Sequence, residues 1–251
     1  MSEEILSTRA GPLCELRLNR PAKRNALTFA MYAALVAALR AAQEDPEVRV
    51  LVLSGEGASF SAGNDLNDFL HGPPFNAEHP VLAFLHTLAG YEKPIVAAVQ
   101  GAAVGIGVTL LLHCDLVVAA RDATFSLPFV KLGLVPEAAS SLLLPHLAGR
   151  QRAAELLLLG EPFDATHALS LGLVNRVVEA DQLLVTARAF AASLAQQPQQ
   201  ALRATRRLLR GEVAPVLGRI EAEARIFGAQ LESPEFRAAV SAALAGKGKG
   251  R

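Results

Sequence analysis

The amino-acid sequence predicts an α/β fold, in which apolar strands alternate with amphipathic helices. Leu13–Leu18 alternates apolar and polar residues, which is typical of a strand with one buried face. Residues 94–99 and 115–119 are continuous apolar runs, as expected for strands that are buried on both faces. A glycine-containing helical segment at 105–112 lies between these two strands, and this alternation favours an α/β core.

The other elements are predicted in chain order from spacing and capping residues. Residues 19–21 end the first strand, and Thr28 is placed to cap a helix that continues to about Glu44. Further along the chain the sequence predicts a strand at 48–53, a long irregular loop at 62–78, a helix at 150–159, a strand at 173–178 and helices from 198 to about 245. The Arg-rich faces of these last helices are predicted to be solvated, and a loop as long as 62–78 is often functional.

The composition excludes several classes of partner. The chain has 251 residues, enough for one large domain, and 24 basic residues balance 24 acidic ones. This balance gives no electrostatic reason to expect nucleic acid or an anionic membrane. No apolar run is long enough to span a membrane, and the acidic N-terminus lacks a signal-peptide core. With Cys14 and Cys114 predicted as reduced thiols, these features predict a soluble, cytoplasmic protein.

Two glycine-rich turns, at 57–66 and 100–109, each follow an apolar strand. Small residues let a ligand approach the main chain, and a helix that begins after such a turn leaves N–H groups unpaired. Two such N–H groups that converge would form an oxyanion hole. Taken alone, each turn is weak evidence for this, because a glycine-rich turn of this kind is more often an ordinary connection between a strand and a helix.

Several motifs together carry a resemblance to a known family. In order along the chain they are Asn19-Arg20-Pro21, Asn25-Ala26-Leu27, FSAGNDL at 60–66, AAVQGAAVGIG at 97–107 and CDLVVAARDATFSLPFVKLGLVP at 114–136. From about residue 12 to 178 the chain resembles the crotonase (enoyl-CoA hydratase/isomerase) superfamily. Within it, the chain is most similar to the peroxisomal type of Δ3,Δ2-enoyl-CoA isomerases and their bacterial relatives.

The resemblance implies a fold and an assembly. The expected fold is a spiral of ββα units that forms two roughly perpendicular sheets, followed by a C-terminal helical part. We therefore expect a core at 1–196 and, at 197–251, a helical trimerisation region with a disordered basic tail. The resemblance also implies a homotrimer or a hexamer made of two trimers.

The resemblance also implies the catalytic groups. The two oxyanion-hole amides fall on the backbone N–H groups of Asn64 and Ile106, and the catalytic base of the isomerases falls on Glu137. The two glutamates of true hydratases fall on Thr109 and Phe129, which cannot act as general bases. Apolar neighbours would raise the pKa of Glu137 and make it a stronger base. The alternative is that Glu137 caps a helix that begins near residue 138.

The remaining candidate residues would bind the substrate, an acyl-CoA thioester. Lys23 and Arg24 lie in the loop that approaches the CoA nucleotide in the family, and Lys247 and Lys249 lie where relatives carry basic residues for CoA phosphates. Phe129 is predicted as an apolar wall of the acyl pocket, with an ordinary core aromatic as the alternative. The other predicted substrate-binding residues are Ala62, Gly63, Asp65, Leu66, Gly105 and Pro136. Asp65 is also placed to begin a helix.

The predicted activity is the shift of the double bond of a 3-enoyl-CoA to the 2-position in fatty-acid oxidation. No cofactor is implied beyond the CoA of the substrate, and the spacing of His71, His79 and His86 is not that of a metal site. Two alternatives stay open. One is another crotonase reaction, either enoyl-CoA hydration or thioester hydrolysis, and the other is a non-catalytic acyl-CoA-binding role.

Overall fold

The structure of the protein is a computed structural model that describes residues 3–73 and 75–247, with side chains to residue 242. The strands are β1 (Ile5–Ala10), β2 (Leu13–Leu18), β3 (Val50–Gly55), β4 (Ile95–Val99), β5 (Ala102–Val104), β6 (Leu116–Ala120), β7 (Thr124–Ser126), β8 (Phe163–Asp164) and β9 (Arg176–Val178). The helices are α1 (Phe29–Glu44), α2 (Leu66–His71), α3 (Pro80–Ala89), α4 (Ile106–Thr109), α5 (Ser140–Ala148), α6 (Arg150–Ala154), α7 (Ala165–Ser170), α8 (Leu183–Gln196), α9 (Gln199–Arg210), α10 (Val213–Leu231) and α11 (Pro234–Lys247).

The larger sheet has six strands in the order β1-β2-β3-β4-β6-β9. β1 and β2 are antiparallel, and every later pair is parallel, with Leu13 opposite Val50 and Val96 opposite Leu116. In a parallel sheet the carboxyl ends of the strands lie along one edge. The glycine-rich turns that follow β3 and β4 therefore leave the sheet side by side.

The smaller sheet has the order β5-β7-β8, and β5 and β7 are parallel to each other. Ser61 forms an isolated bridge to Ala103 of β5, so the chain after β3 runs beside this sheet as well. The prediction of an α/β fold with two sheets and a C-terminal helical part is confirmed.

Two groups of buried residues form the core on the two faces of the larger sheet. On one face, α8 packs small residues such as Ala187 and Ala191 against Val52, Val96 and Val118. The group on the other face includes residues of α1 and α3, and α10 and α11 contribute Ile220, Phe227, Phe236 and Val240 to the same core. No helix within the described residues is both long and apolar enough to cross a membrane.

Some of the predicted elements agree with the structure and others differ. Thr28 caps α1 as predicted, because its side chain accepts a hydrogen bond from the N–H of Met31. The segment predicted as an irregular loop at 62–78 contains α2, which is capped by Asp65. The predicted helix at 150–159 consists of α6 and a following π-helical turn. Both cysteines are free thiols.

The prediction that the arginines of the final helices are solvated is wrong for Arg206. This side chain is buried, and its Nε lies 2.8 Å from both carboxylate oxygens of Asp115. The other oxygen contact of its guanidinium is the Tyr91 carbonyl at 2.7 Å. Arg206 therefore ties α9 to the larger sheet.

Candidate active site

The two glycine-rich turns pack against each other. The Ser61 N–H donates to the Ala102 carbonyl at 3.0 Å, and the Val104 N–H donates to the Ser61 carbonyl at 2.9 Å. A Cβ on Gly63 would lie 2.8 Å from the Val104 oxygen, and one on Gly107 would lie 2.9 Å from the Ser61 oxygen. Glycine is required at these two positions because any side chain would push the turns apart.

The two predicted oxyanion-hole amides are not used by the fold. On either side of Asn64, the Gly63 carbonyl accepts the Leu27 N–H and the Asp65 N–H donates to the Leu27 carbonyl. Ile106 is the first residue of α4. Neither N–H donates a hydrogen bond to any of the residues that the structure describes. A first-turn N–H has no partner within its own helix, so both groups remain available as donors to a ligand.

Glu137 is a buried carboxyl group without full hydrogen bonding. The residue is 5% exposed, and its Oε1 has no partner among the described residues. Burial, together with the nearby Glu223 carboxylate, raises the pKa of Glu137 to about 8, although a hydrogen bond with the Asn64 side chain works in the opposite direction. A carboxyl group with this pKa can both take up and release a proton near neutral pH.

Glu137 lines a small cavity. The volume open to the centre of a water molecule is about 10 Å³, which is near the minimum for one water. The cavity is lined by Phe75, Leu82, Leu85, Glu137, Ala138, Ile220, Glu223, Ala224 and Phe227. α3, α10 and the segment before α3 thus surround the carboxyl with apolar groups, which accounts for its unfavourable ionisation.

A buried tyrosine, which the sequence did not indicate, orients the Asn64 side chain. The hydroxyl of Tyr32 on α1 donates a hydrogen bond to the Asn64 Oδ1. The Asn64 amide nitrogen is then the group that can donate to Glu137. Burial, and then the negative charge of Glu137, raise the Tyr32 pKa well above its usual value, so Tyr32 remains a hydrogen-bond donor at neutral pH.

A second carboxylate reaches the site from the C-terminal helices and was also missed. Glu223 on α10 is buried and accepts hydrogen bonds from the Ala139 N–H at 2.7 Å and the Ser141 N–H at 3.0 Å. The Ser141 hydroxyl donates to it as well, at 2.5 Å. Both oxygens of Glu223 are therefore engaged by the start of α5.

The turn after Glu137 differs from the prediction that a helix begins near residue 138. Ala138 and Ala139 have φ angles of 61° and 56°, and α5 begins only at Ser140. The Ala138 carbonyl lies 2.8 Å from Nε2 of the buried His113; burial lowers the pKa of that imidazole to about 4. Glu137 does not cap α5 with its carboxyl group, because Glu223 performs that role.

The predicted substrate-binding residues divide into three groups. Gly63, Gly105, Ala62 and Leu66 belong to the packed turns or adjoin them, and Pro136 precedes Glu137. Asp65 caps α2 and forms a 2.8 Å ion pair with Arg20, so its role in the fold is structural. Burial alone would raise the Asp65 pKa, but the hydrogen bonds from Arg20 and Asn67 bring it below its usual value.

The third group comprises Lys23 and Arg24, the buried Phe129 and the basic residues of the C-terminal tail. Lys23 and Arg24 are exposed, and the Arg24 carbonyl accepts the N–H of Ala62. Phe129 is buried, and its carbonyl holds the turn that leads to Leu134. The side chain of Lys247 and all of Lys249 lie outside the described part of the chain.

Thr109 and Phe129 are both buried side chains without a carboxylate, and the Thr109 hydroxyl has no partner among the described residues. Within those same residues, no group of three or more His, Cys, Asp or Glu side chains could hold a metal ion. Neither Thr109 nor Phe129 therefore supplies a general base.

Comparison with known proteins gives one consistent result. The model of the family described as enoyl-CoA hydratase/isomerase matches residues 8–247. The chain is 40% identical to the 1,2-epoxyphenylacetyl-CoA isomerase of Escherichia coli K12 over 205 residues, which are 79% of this chain and 78% of that protein. It is 37% identical over 215 residues to the enoyl-CoA delta isomerase 2 of Rattus norvegicus, covering 83% of this chain and 55% of that longer protein.

Relatives named as a hydratase and as dehydratases match at 38% and 37% identity. Among solved structures, OdaA of Pseudomonas aeruginosa superposes with a TM-score of 0.93 at 44% identity, over 96% of this chain and 98% of that one. The chain therefore belongs to the enoyl-CoA hydratase/isomerase family, within the crotonase superfamily.

Proposed function

We propose that the protein is an isomerase that moves the double bond of a 3-enoyl-CoA to the 2-position. The observation that carries this proposal is Glu137, a buried carboxyl group that has one oxygen without a partner among the described residues, a hydrogen bond with the Asn64 side chain and a pKa raised to about 8. Isomerisation needs one group that takes a proton from one carbon and returns it to another, and a carboxyl poised near neutral pH is suited to both steps.

In the proposed reaction the thioester oxygen accepts hydrogen bonds from the N–H groups of Asn64 and Ile106. Glu137 removes a proton from the α carbon, and the two N–H groups stabilise the negative charge that develops on the oxygen. The protonated Glu137 then delivers the proton to the γ carbon, which moves the double bond into conjugation with the carbonyl. The enzyme ends the cycle in the ionisation state in which it began it.

Enoyl-CoA hydration is the competing candidate, because relatives carry hydratase and dehydratase names. Hydration in this family relies on two glutamates, and the corresponding positions hold Thr109 and Phe129. Glu223 is a second carboxylate near Glu137, but its two oxygens accept the N–H groups of Ala139 and Ser141. It is therefore poorly placed to activate a water, and we expect slow hydration at most.

The rest of the proposal concerns CoA binding and assembly. The exposed Lys23 and Arg24 would bind the CoA phosphates, and no cofactor beyond the substrate's CoA is required.

The proposed assembly is a homotrimer or a hexamer. It is supported by large apolar side chains that are exposed in the single chain, among them Leu158, Leu159, Leu208 and Leu209, and light scattering would measure it.

The test of the proposed function is Glu137→Gln, which keeps the size of the side chain but removes the base. Turnover of 3-hexenoyl-CoA should fall by roughly 10²- to 10⁴-fold, while binding of the substrate should change little, because backbone N–H groups hold the thioester. The unaltered protein should act on 3-hexenoyl-CoA and hydrate crotonyl-CoA poorly or not at all. Full isomerase activity in the variant would show that another group is the base.

A further inference from the structure

The backbone that follows Glu137 is held in an unfavourable conformation. Ala138 and Ala139 both have positive φ angles, a region that residues with a Cβ adopt at a cost in free energy. Two such residues in succession persist only where surrounding groups fix them. Since Glu137 directly precedes them, whatever fixes this turn also sets the direction of the Glu137 side chain.

Glu223 supplies much of this fixation. Ala139 occupies the N-cap position of α5, where a Ser or Asp side chain would ordinarily accept the first N–H groups of the helix. Alanine cannot do so, and the Glu223 carboxylate accepts the N–H groups of Ala139 and Ser141 instead, at 2.7 and 3.0 Å. Arg219, one turn earlier on α10, donates to the Ser141 hydroxyl at 3.2 Å.

We infer that Glu223 is a positioning residue: its carboxylate fixes the Ala138–Ala139 turn and thereby aims the Glu137 carboxyl group at the substrate carbon. This inference rests on the proposed function of Glu137. Glu223 touches no reacting atom, because its own oxygens accept the N–H groups of Ala139 and Ser141. Both carboxyl groups nevertheless line the same small cavity with Ala138.

The charge of Glu223 adds a second effect, which a purely structural cap would not produce. Among the described residues, the titratable or charged groups near Glu137 are Tyr32 on α1, His113 against the Ala138 carbonyl, and Glu223 with Arg219 on α10. Helix α3 contributes the apolar Leu82 and Leu85 to the cavity. Of these, the Glu223 carboxylate raises the Glu137 pKa. Its neutralisation should therefore lower the pH at which Glu137 becomes a base.

The experiment measures exchange of the α proton of butanoyl-CoA in D2O, which needs the base and the oxyanion hole but no double bond. Rates across pH are compared for the unaltered protein, Glu223→Gln and Glu223→Asp. Glutamine cannot accept both N–H groups, and aspartate keeps the charge but is shorter by one methylene group. Glu221→Gln is the matched control, since Glu221 lies on the same helix and pairs with His86 at the surface.

At the alkaline plateau, both Glu223 variants should exchange about 10- to 100-fold more slowly, because a misplacement of about 1 Å costs a rate of that order, and KM should change less than about twofold. The midpoint of the pH profile should fall in Glu223→Gln and stay in place in Glu223→Asp. The control should match the unaltered protein in both respects.

Plateau rates for both Glu223 variants equal to the control would overturn the inference. So would a loss accompanied by a parallel rise in KM with no shift of the midpoint in Glu223→Gln, which would indicate general damage. If Glu223→Gln does not fold, Glu223→Asp decides by its plateau rate. Failure of the proposed function gives a different result, in which the unaltered protein itself neither exchanges the α proton nor isomerises 3-hexenoyl-CoA.

Discussion

Glu137 is buried where its charged form is disfavoured, and this has a consequence for stability as well as for chemistry. The pKa is about 8 in the folded protein against an ordinary value of 4.5. As pH rises from 4.5 to 8, the unfolded chain gives up this proton and the folded protein keeps it. The stability that the protonated carboxyl contributes is thus present below pH 4.5 and is lost as pH rises through 8.

We therefore predict that Glu137→Gln is more stable than the unaltered protein in alkaline solution. The advantage should be small at pH 5 and reach at least about 1 kcal/mol at pH 9, or about 2–4 °C in Tm. Thermal unfolding at the two pH values measures it. Glu161→Gln, at an exposed carboxylate that pairs with Lys131, is the control and should show no such difference. An equal offset at both pH values would contradict the prediction.

At the scale of single residues, the sequence predicted the site residues that lie in local motifs but not those that reach the site through contacts between distant parts of the chain. Asn64, Ile106 and Glu137 could be proposed because each lies in a motif that resembles a family. Tyr32 and Glu223 could not, because each is an ordinary position on an amphipathic helix. Only the packing of α1 and α10 brings them to Asn64 and to the start of α5.

At the scale of elements, the contact between the two glycine-rich turns sets the distance between their N–H groups. Gly107 lies at one of the close approaches between the turns, where an added Cβ would be 2.9 Å from the Ser61 oxygen. The Ser61 oxygen belongs to the backbone and cannot rotate away as a side chain could, so the turns must separate to admit a methyl group. The N–H groups of Asn64 and Ile106 would separate with them.

We predict that Gly107→Ala lowers isomerase turnover by about 10²-fold, the range seen when a single oxyanion donor is lost, while the protein remains folded by circular dichroism. The control is Gly218→Ala on α10, where no atom lies within 4 Å of the added Cβ. That substitution should keep full turnover and stabilise the protein by about 0.5–1 kcal/mol, since alanine favours helix. Equal turnover in the two variants would show that the spacing of the turns is unimportant.

The elements themselves were predictable where the local signal was strong. The capping threonine and apolar spacing of α1 fixed both of its ends to within a residue. Asp65 was correctly placed at a helix start, but the extent of α2 was not predicted, because its six residues show too little periodicity. The start of α5 was predicted near residue 138, not at Ser140, because the capping side chain is Glu223 of α10 and no neighbouring residue in the sequence marks the start of the helix.

At the scale of the whole molecule, one ion pair joins the C-terminal helices to the sheet. Asp115 accepts the Ile95 N–H at 2.8 Å and so braces β4, while Arg206 of α9 binds the same carboxylate. The burial of Arg206 depends on the position of Asp115 in the folded chain. The pattern of arginines along α9 does not indicate that position, so the sequence could not show which arginine is buried.

We predict that Arg206→Ala destabilises the protein by about 3 kcal/mol, because it leaves Asp115 without its counter-charge in a largely buried setting. Tm should fall by roughly 5–10 °C, and turnover below the transition should be retained, since neither Arg206 nor its partners Asp115 and Tyr91 line the cavity of Glu137. Arg207→Ala, at the exposed neighbouring position, should leave Tm within about 1 °C. A similar Tm for both variants would contradict the role assigned to the pair.

The cap that α10 provides to α5 also has a kinetic consequence. The hydrogen bond between Ser141 and Glu223 spans 82 residues of sequence, and contacts of such long range form late in folding because closing a large loop is entropically costly. The sheet and its glycine-rich turns can form before α10 docks. Catalytic competence should therefore return more slowly than secondary structure when the denatured protein is refolded, and a nascent chain should gain activity only after α10 has been synthesised.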